Sequence, residues 1–340
     1  MLARAVLPVQ RPNRAQIEAE QVLRNFDKLL SQHLAVAHSL ESRLDQIEDV
    51  LRWDRVAQRE ITDAIQLRVE QLKDISHPNL SDWLQAQIRR RFVHLMEGEL
   101  AKERLHALLH GLRPTSVEGY HKIRMGNAHD GGYIALDDFA DAAAVLSFGI
   151  NDDVTWDLEV ANRGMTVYQY DDSVDGPPVE HERFRFFKKR IGVFAEGELS
   201  IANVLARHHL SGPASTILKI DIEHAEWSVL DAATPETLGT FSQILGEFHG
   251  FDEILDDSWF ACAQRVFAKL AAQFALVHVH GNNCAAQVIM GNHLFPKSIE
   301  LTLVNRARYV TQPSQETFPG TLDRPNDPTL PDFHLGTFNY

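Results

Sequence analysis

The chain has 340 residues, 44% of them hydrophobic, and a formal net charge of −14. That length buries a substantial core, and an acidic balance without a long Lys or Arg run excludes a nucleic-acid backbone as the main partner, because such binding rests on cations neutralising phosphates. Cys262 and Cys284 lack the spacing of a zinc site or disulfide framework, and no apolar run reaches the roughly 18 to 20 residues of a membrane span, so a soluble, cytoplasmic protein is expected.

Between Asn13 and Gly111 glycine and proline are sparse and apolar residues recur every three or four positions: Leu23, Phe26, Leu30; Leu40, Leu44, Ile47, Leu51; Ile61, Ile65, Val69, Leu72. A helical period sustained this long predicts a coiled coil or long helical hairpin, read here as an oligomerisation region over 1–115 that makes the protein a homo-oligomer. Docking another protein is the alternative use of the same face. Pro78 interrupts the pattern, Ser81 caps a further helix with Leu84, Ile88, Phe92 and Leu95 on one face, and Gly111 with Pro114 ends the region.

From Tyr120 short apolar runs alternate with helix-like stretches: "AAVLSFGI", "MTVYQYDD", "STILKIDIE", "FSQILGEFH", "FALVHVHG" and "SIELTLVN". This predicts an α/β domain over 116–310 with a mostly parallel, Rossmann-like sheet. Phe274 to His280 and Ile299 to Asn305, with no clear crossover helix between them, predict an antiparallel pair at the sheet edge. Residues 311–340 are rich in Pro and Asp and read as an extended tail or lid.

The stretch Ala144 to Ser173 has the order strand, glycine, helix, strand, acid. Gly149 ends the first strand, Val154 to Arg163 makes the helix and Asp171 closes the second strand, where an acid can accept both hydroxyls of a ribose. The G-x-G-x-x-G fingerprint is absent, and Asn151, Asp152 and Asp153 make the turn acidic. Such a turn repels a pyrophosphate and suits a cationic nucleoside, so S-adenosylmethionine fits better than NAD or ATP.

Later strands end on ionisable groups: Asp221 and Glu223, then Glu247 and His249, then His280, Asn282 and Asn283. Carboxyl ends of parallel strands share one rim, where open α/β folds bind ligands. His249 and His280 are candidate general bases, with Glu247 as an orienter of one imidazole. The same Asp221, Glu247, His249 and His280 are also candidate ligands for a divalent metal.

Five ordered blocks, "RMGNAHDGGYIALDD", "LSFGINDDVTWDLEVANRG", "YQYDD", "LKIDIEHAEWSVL" and "GEFHG", resemble the FkbM-like class I S-adenosylmethionine-dependent methyltransferases over about Tyr120 to Asn305. The resemblance implies a class I methyltransferase sheet and O-methylation of a sugar or glycoconjugate hydroxyl, the acceptor being a small molecule or a glycan. It implies that Gly149 and Ile150 pass beneath the methionine part, that Asp171 holds the ribose and that Asp221 sits near the sulfonium or the acceptor. It also implies that the turn Asp130, Gly131, Gly132, Tyr133 covers the amino-acid end, with Arg124 a partner for its carboxylate. Two positions depart from the family: Ser147 replaces an acidic residue, and His224 replaces the glycine of the D-x-E-G-x-E block, placing a third imidazole or a plug near the pocket. A nucleotide-sugar glycosyltransferase using Lys188, Lys189 and Arg190 for phosphate, and a non-catalytic scaffold, are the alternatives.

Overall fold

The computed structural model describes residues 94–96, 98–290 and 293–340. The heptads between residues 13 and 93, and with them the coiled coil and the oligomer, lie outside the described residues. Residues 90–340 form one compact unit. Its elements begin with β1 (His94–Met96), α1 (Gly98–Leu109), β2 (Thr115–Val117), β3 (Lys122–Gly126), β4 (Gly132–Leu136), β5 (Ala144–Phe148), α2 (Thr155–Asn162), β6 (Val167–Tyr170), β7 (Phe184–Phe187) and α3 (Ile201–Arg207). There follow β8 (Thr216–Ile220), α4 (Glu226–Ala232), α5 (Pro235–Leu238), β9 (Phe241–Phe248), α6 (Asp257–Gln273), β10 (Phe274–Gly281), β11 (Gln287–Met290), β12 (His293–Pro296), β13 (Ile299–Asn305) and β14 (Thr311–Pro313).

Seven strands make the central sheet in the order β10-β13-β9-β8-β5-β6-β7. Pairings from β9 through β7 are parallel, and β13 alone among these strands runs antiparallel, to both β9 and β10. The expected antiparallel pair is thus at the sheet edge; within it β13 is the reversed strand, one place in, while β10 is outermost and runs with the parallel strands. The reason is burial: all seven residues of Ile299–Asn305 are buried, as an inserted strand requires. The stretch between β10 and β13 carries the β11–β12 hairpin, which pairs with β1 in a separate three-stranded sheet.

β1 corrects the helix expected through Leu95. Residues 94–96 are extended and pair in parallel with Val288–Met290, so backbone pairing overrides the helical period there. α1 then buries Leu105, Leu108 and Leu109 in the same core as the sheet, so the α/β unit takes in residues that the sequence pattern assigns to the helical front. α6 is capped by Asp256, whose carboxylate accepts from the amides of Ser258 and Trp259, and its Ala263, Val266, Phe267 and Leu270 form one buried stripe. No described helix is long and apolar enough to cross a membrane.

Residues 311–340 are mostly irregular, but they are built into the core. Phe318 and Phe338 are fully buried, and β14 pairs with β2. Sheet order reverses at β5: the chain goes first to β6 and β7 on one side, then returns to β8 and β9 on the other. Ligands of open α/β sheets bind in the crevice above such a reversal.

Candidate functional site

A cavity of about 1110 Å³ lies over the carboxyl ends of β5, β6, β8 and β9. It is bounded at its centre by Gly149 and Asp221, which end β5 and β8. Gly149 has φ +77°, and a Cβ there would lie 1.6 Å from the carbonyl oxygen of Asp221. Only glycine allows the two strand ends to come this close. Beyond it, Ile150, Asn151, Asp152 and Asp153 line the cavity, and the Asp153 carboxylate accepts from the Thr155 amide at 2.7 Å and from Asn127 Nδ2 at 2.9 Å.

Asp171 lines the cavity as expected for the residue closing β6. Its Oδ2 accepts from the amides of Ile150 and Asn151 at 2.8 and 2.9 Å, and its Oδ1 from the amide and hydroxyl of Ser173 at 2.8 and 2.6 Å. Burial would raise its carboxyl, but these donors outweigh burial and hold it below the usual value. Four donors fill the acceptor capacity of a carboxylate. Asp171 thus first shapes the turn after β5.

Tyr133, from the D-G-G-Y turn, donates its hydroxyl to Asp221 Oδ2 at 2.8 Å. Burial, then the Asp221 charge, push its pKa well up, so it remains a donor. Asp130 and Gly131 line the cavity beside it; a Cβ on Gly131 would meet the Asp153 carboxylate at 2.8 Å, and one on Gly132 the Asn127 carbonyl at 2.0 Å. Arg124 is placed elsewhere: its guanidinium donates to the carbonyls of Asn127 and His129 and does not line the cavity. It braces the turn from behind. The cation that does face this end is Lys219, the penultimate residue of β8, whose ammonium donates to the Gly149 carbonyl at 2.9 Å and lies 5.3 Å from the Tyr133 ring. A lysine inside the otherwise apolar "TILKI" run is the signal that sequence reasoning passes over, since buried lysines are rare without a role.

At the other end the strand termini bring Asp221, Glu247 and His249 together, with ligand-type atoms of all three within 4.8 Å of one another. Asn282 donates to Glu247 Oε1 at 2.7 Å. His249 Nδ1 is 3.2 Å from Glu226 Oε1, and Nε2 is 3.4 Å from Glu247 and 3.7 Å from Glu223. Burial would lower the His249 pKa, but the Glu226 hydrogen bond and the Glu247 charge push it up to about 9. Burial and the Asp221 carboxylate push Glu247 up as well.

His280 is not brought to this site, which corrects its expected place among the bases and ligands. It is 1% exposed, with Nδ1 3.3 Å from Glu300 and Nε2 2.9 Å from Asp332. Burial is outweighed by the two carboxylates, which push its pKa up to about 10, so it has no lone pair to offer a substrate. His278, two residues earlier and on the same face, pairs with Asp323 at 2.8 Å. Asn283, also expected on the rim, instead donates to the carbonyls of Asp327, Leu330 and Pro331. Among the described residues none of 311–340 lines the cavity, so this segment buttresses the wall; Asn326 reaches both Glu300 and Asp130.

His224 neither lines nor plugs the cavity. It takes φ +74°, the left-handed conformation that suits the glycine it replaces, and its ring lies 3.5 Å from Glu253. A side chain in that region costs about 1 to 2 kcal/mol. His224→Gly is therefore expected to raise the melting temperature by about 2–4 °C, measured by scanning calorimetry; an unchanged or lower value would show that the Glu253 contact outweighs the strain.

Compared with known proteins, the sequence matches no family model and no curated protein. The site itself offers three chemistries along one cavity: a fully satisfied acid beside a glycine turn, a buried cation with a tyrosine, and a carboxylate–imidazole cluster.

Proposed function

We propose that this chain is a class I methyltransferase that moves the methyl group of S-adenosylmethionine to a hydroxyl of a sugar or glycoconjugate. The observation that carries the reading is the approach of Gly149 to Asp221 at the sheet reversal, beneath a cavity of about 1110 Å³. Ligand pockets of about 300–1,000 Å³ hold one drug-sized molecule, so this volume suits a nucleoside cofactor and an acceptor side by side. A mostly parallel sheet with one reversed strand in its edge pair also supports it, being the kind of sheet the resemblance implies.

In this reading the nucleoside lies toward Asp171, where Pro178, Val179 and Ile191 supply an apolar wall for the base. A ribose hydroxyl would replace the exposed Ser173 hydroxyl on Oδ1. The amino-acid carboxylate would meet Lys219, the role the resemblance assigns to Arg124. The sulfonium would then face Asp221, and the acceptor would occupy the end lined by Glu223, Glu247, His249 and Asn282. Transfer itself is an in-line displacement, in which the protein supplies alignment. The Glu226 hydrogen bond and the Glu247 charge favour the protonated ring, so without a bound ion His249 is a charge partner for these carboxylates rather than a base, and a cation at Nε2 would displace that proton.

The nucleotide-sugar alternative is less favoured: Lys188 pairs with Asp175 and Arg190 lies 3.5 Å from Glu198, which leaves only Lys189 of that cluster on the cavity wall to meet a diphosphate. Calorimetric titration with S-adenosylmethionine and S-adenosylhomocysteine in chelator tests the reading. Micromolar binding is expected, weakened about 10- to 100-fold in Lys219→Met, the range of a charge-assisted hydrogen bond. No binding of either compound would remove the methyl-transfer reading.

A further inference from the structure

The acceptor end of the cavity contains more anionic groups than a neutral hydroxyl needs. Asp221, Glu223, Glu247 and Glu226 surround His249, and Glu247 is only 5% exposed. The arrangement within this group is specific. Asp221 comes from the end of β8 and Glu247 and His249 from the end of β9, and their ligand-type atoms converge within 4.8 Å. Glu226 occupies the far ring nitrogen of His249, and the indole of Trp227 donates to the His249 carbonyl at 2.7 Å, so the ring is oriented with Nε2 toward the carboxylates. A carboxylate behind the second nitrogen is the usual support for a metal-ligating histidine. Tyr133 likewise steadies Asp221, and Asn282 steadies Glu247. A further observation concerns Ser298: its hydroxyl is buried in the wall of the same cavity and closes no hydrogen bond of ordinary geometry.

We propose that Asp221, Glu247 and His249 hold a hard divalent cation of the magnesium or manganese class, and that the acceptor is a vicinal diol whose two oxygens complete the coordination. Two carboxylates and one imidazole are hard or borderline ligands, which suits these ions and disfavours soft ones. Such an ion takes six ligands, so three protein atoms leave room for adjacent hydroxyls of one sugar ring and a water. The cation site stands on geometry; the acceptor class rests on the methyl-transfer reading. In that step the acceptor oxygen forms the new C–O bond as the CH₃–S bond breaks, and sulfur keeps the electron pair. The hydroxyl proton passes to the exposed Glu223 carboxylate lining the cavity, and on to water.

The test uses the full chain, stripped with chelator and titrated with manganese chloride, free ion being followed by electron paramagnetic resonance and heat by calorimetry. One manganese per chain is expected, bound at least about tenfold more weakly by Glu247→Gln and by His249→Ala. Catechol, a compact vicinal diol, is expected to change the spectrum of the bound ion. Absence of manganese binding below about 1 mM, or equal binding by both variants, would overturn the cation site; an unchanged spectrum with catechol would overturn the acceptor class. S-adenosylmethionine binding, measured beforehand in chelator, is scored separately, so its failure removes the methyl-transfer reading and leaves the manganese result standing.

Discussion

Gly149→Ala is expected to destabilise the protein by about 3 kcal/mol or more and to eliminate S-adenosylmethionine binding, because its new Cβ would be placed 1.6 Å from the Asp221 carbonyl oxygen. Only separating the ends of β5 and β8 relieves that overlap. The separation breaks the hydrogen bond from the Asp221 amide to the Phe148 carbonyl, now 2.9 Å, and carries Asp221 away from Tyr133. Gly164 supplies the control: it has φ +95° but nothing within 4 Å of its Cβ position, so Gly164→Ala bears the backbone strain of about 1 to 2 kcal/mol without the collision. Urea unfolding and calorimetry on both variants separate the two effects. Equal losses of stability with retained binding in both would mean that the close approach of the strands has no part in the site.

The second large effect falls outside the cavity. Asp332→Asn, and equally His280→Gln, is expected to cost about 3 to 5 kcal/mol, the usual result of removing one partner from a buried ion pair. The dependence on pH has a defined sign. His280 rises from an ordinary value of 6.5 to about 10 in the fold, so its contribution is complete below pH 6.5 and is lost as the pH rises through 10. Other groups titrate in the same window, so the useful quantity is the difference in melting temperature between the parent and His280→Gln. That difference should shrink steadily from pH 6.5 to pH 10; a constant difference would show that His280 carries no charge in the fold.

The parallel strands are legible in the sequence because Ala144–Phe148, Thr216–Ile220 and Phe241–Phe248 are buried on both faces and read as mostly apolar runs, with Lys219, Gln243 and Glu247 among the few exceptions. Glycine and acid at their ends mark the crevice for the same reason. β1 is not legible, since its partner is nearly two hundred residues away and three residues are too few to show a period. The fate of the two histidines differs through contacts that no local pattern records. His249 and His280 both end strands, but Asp332 and Glu300, 52 and 20 residues further along the chain, draw His280 into the core. Arg124 fails similarly: it has the right charge in the right block, yet its guanidinium is turned to the carbonyls of its own turn.

The buttressing segment also bears on how the domain is made. β10 carries two imidazoles whose carboxylate partners, Asp323 and Asp332, emerge only after every strand of the central sheet has been synthesised. A chain interrupted before Asp332 would have its sheet but leave His280 without that partner and the aromatic residue Phe338 missing from the core. Domains fold as units during synthesis, and here the unit closes late. Stability of the β10 side is therefore linked to a segment made after the sheet: Asp323 and Asp332 give His278 and His280 their carboxylates, and Phe318 and Phe338 fill the core.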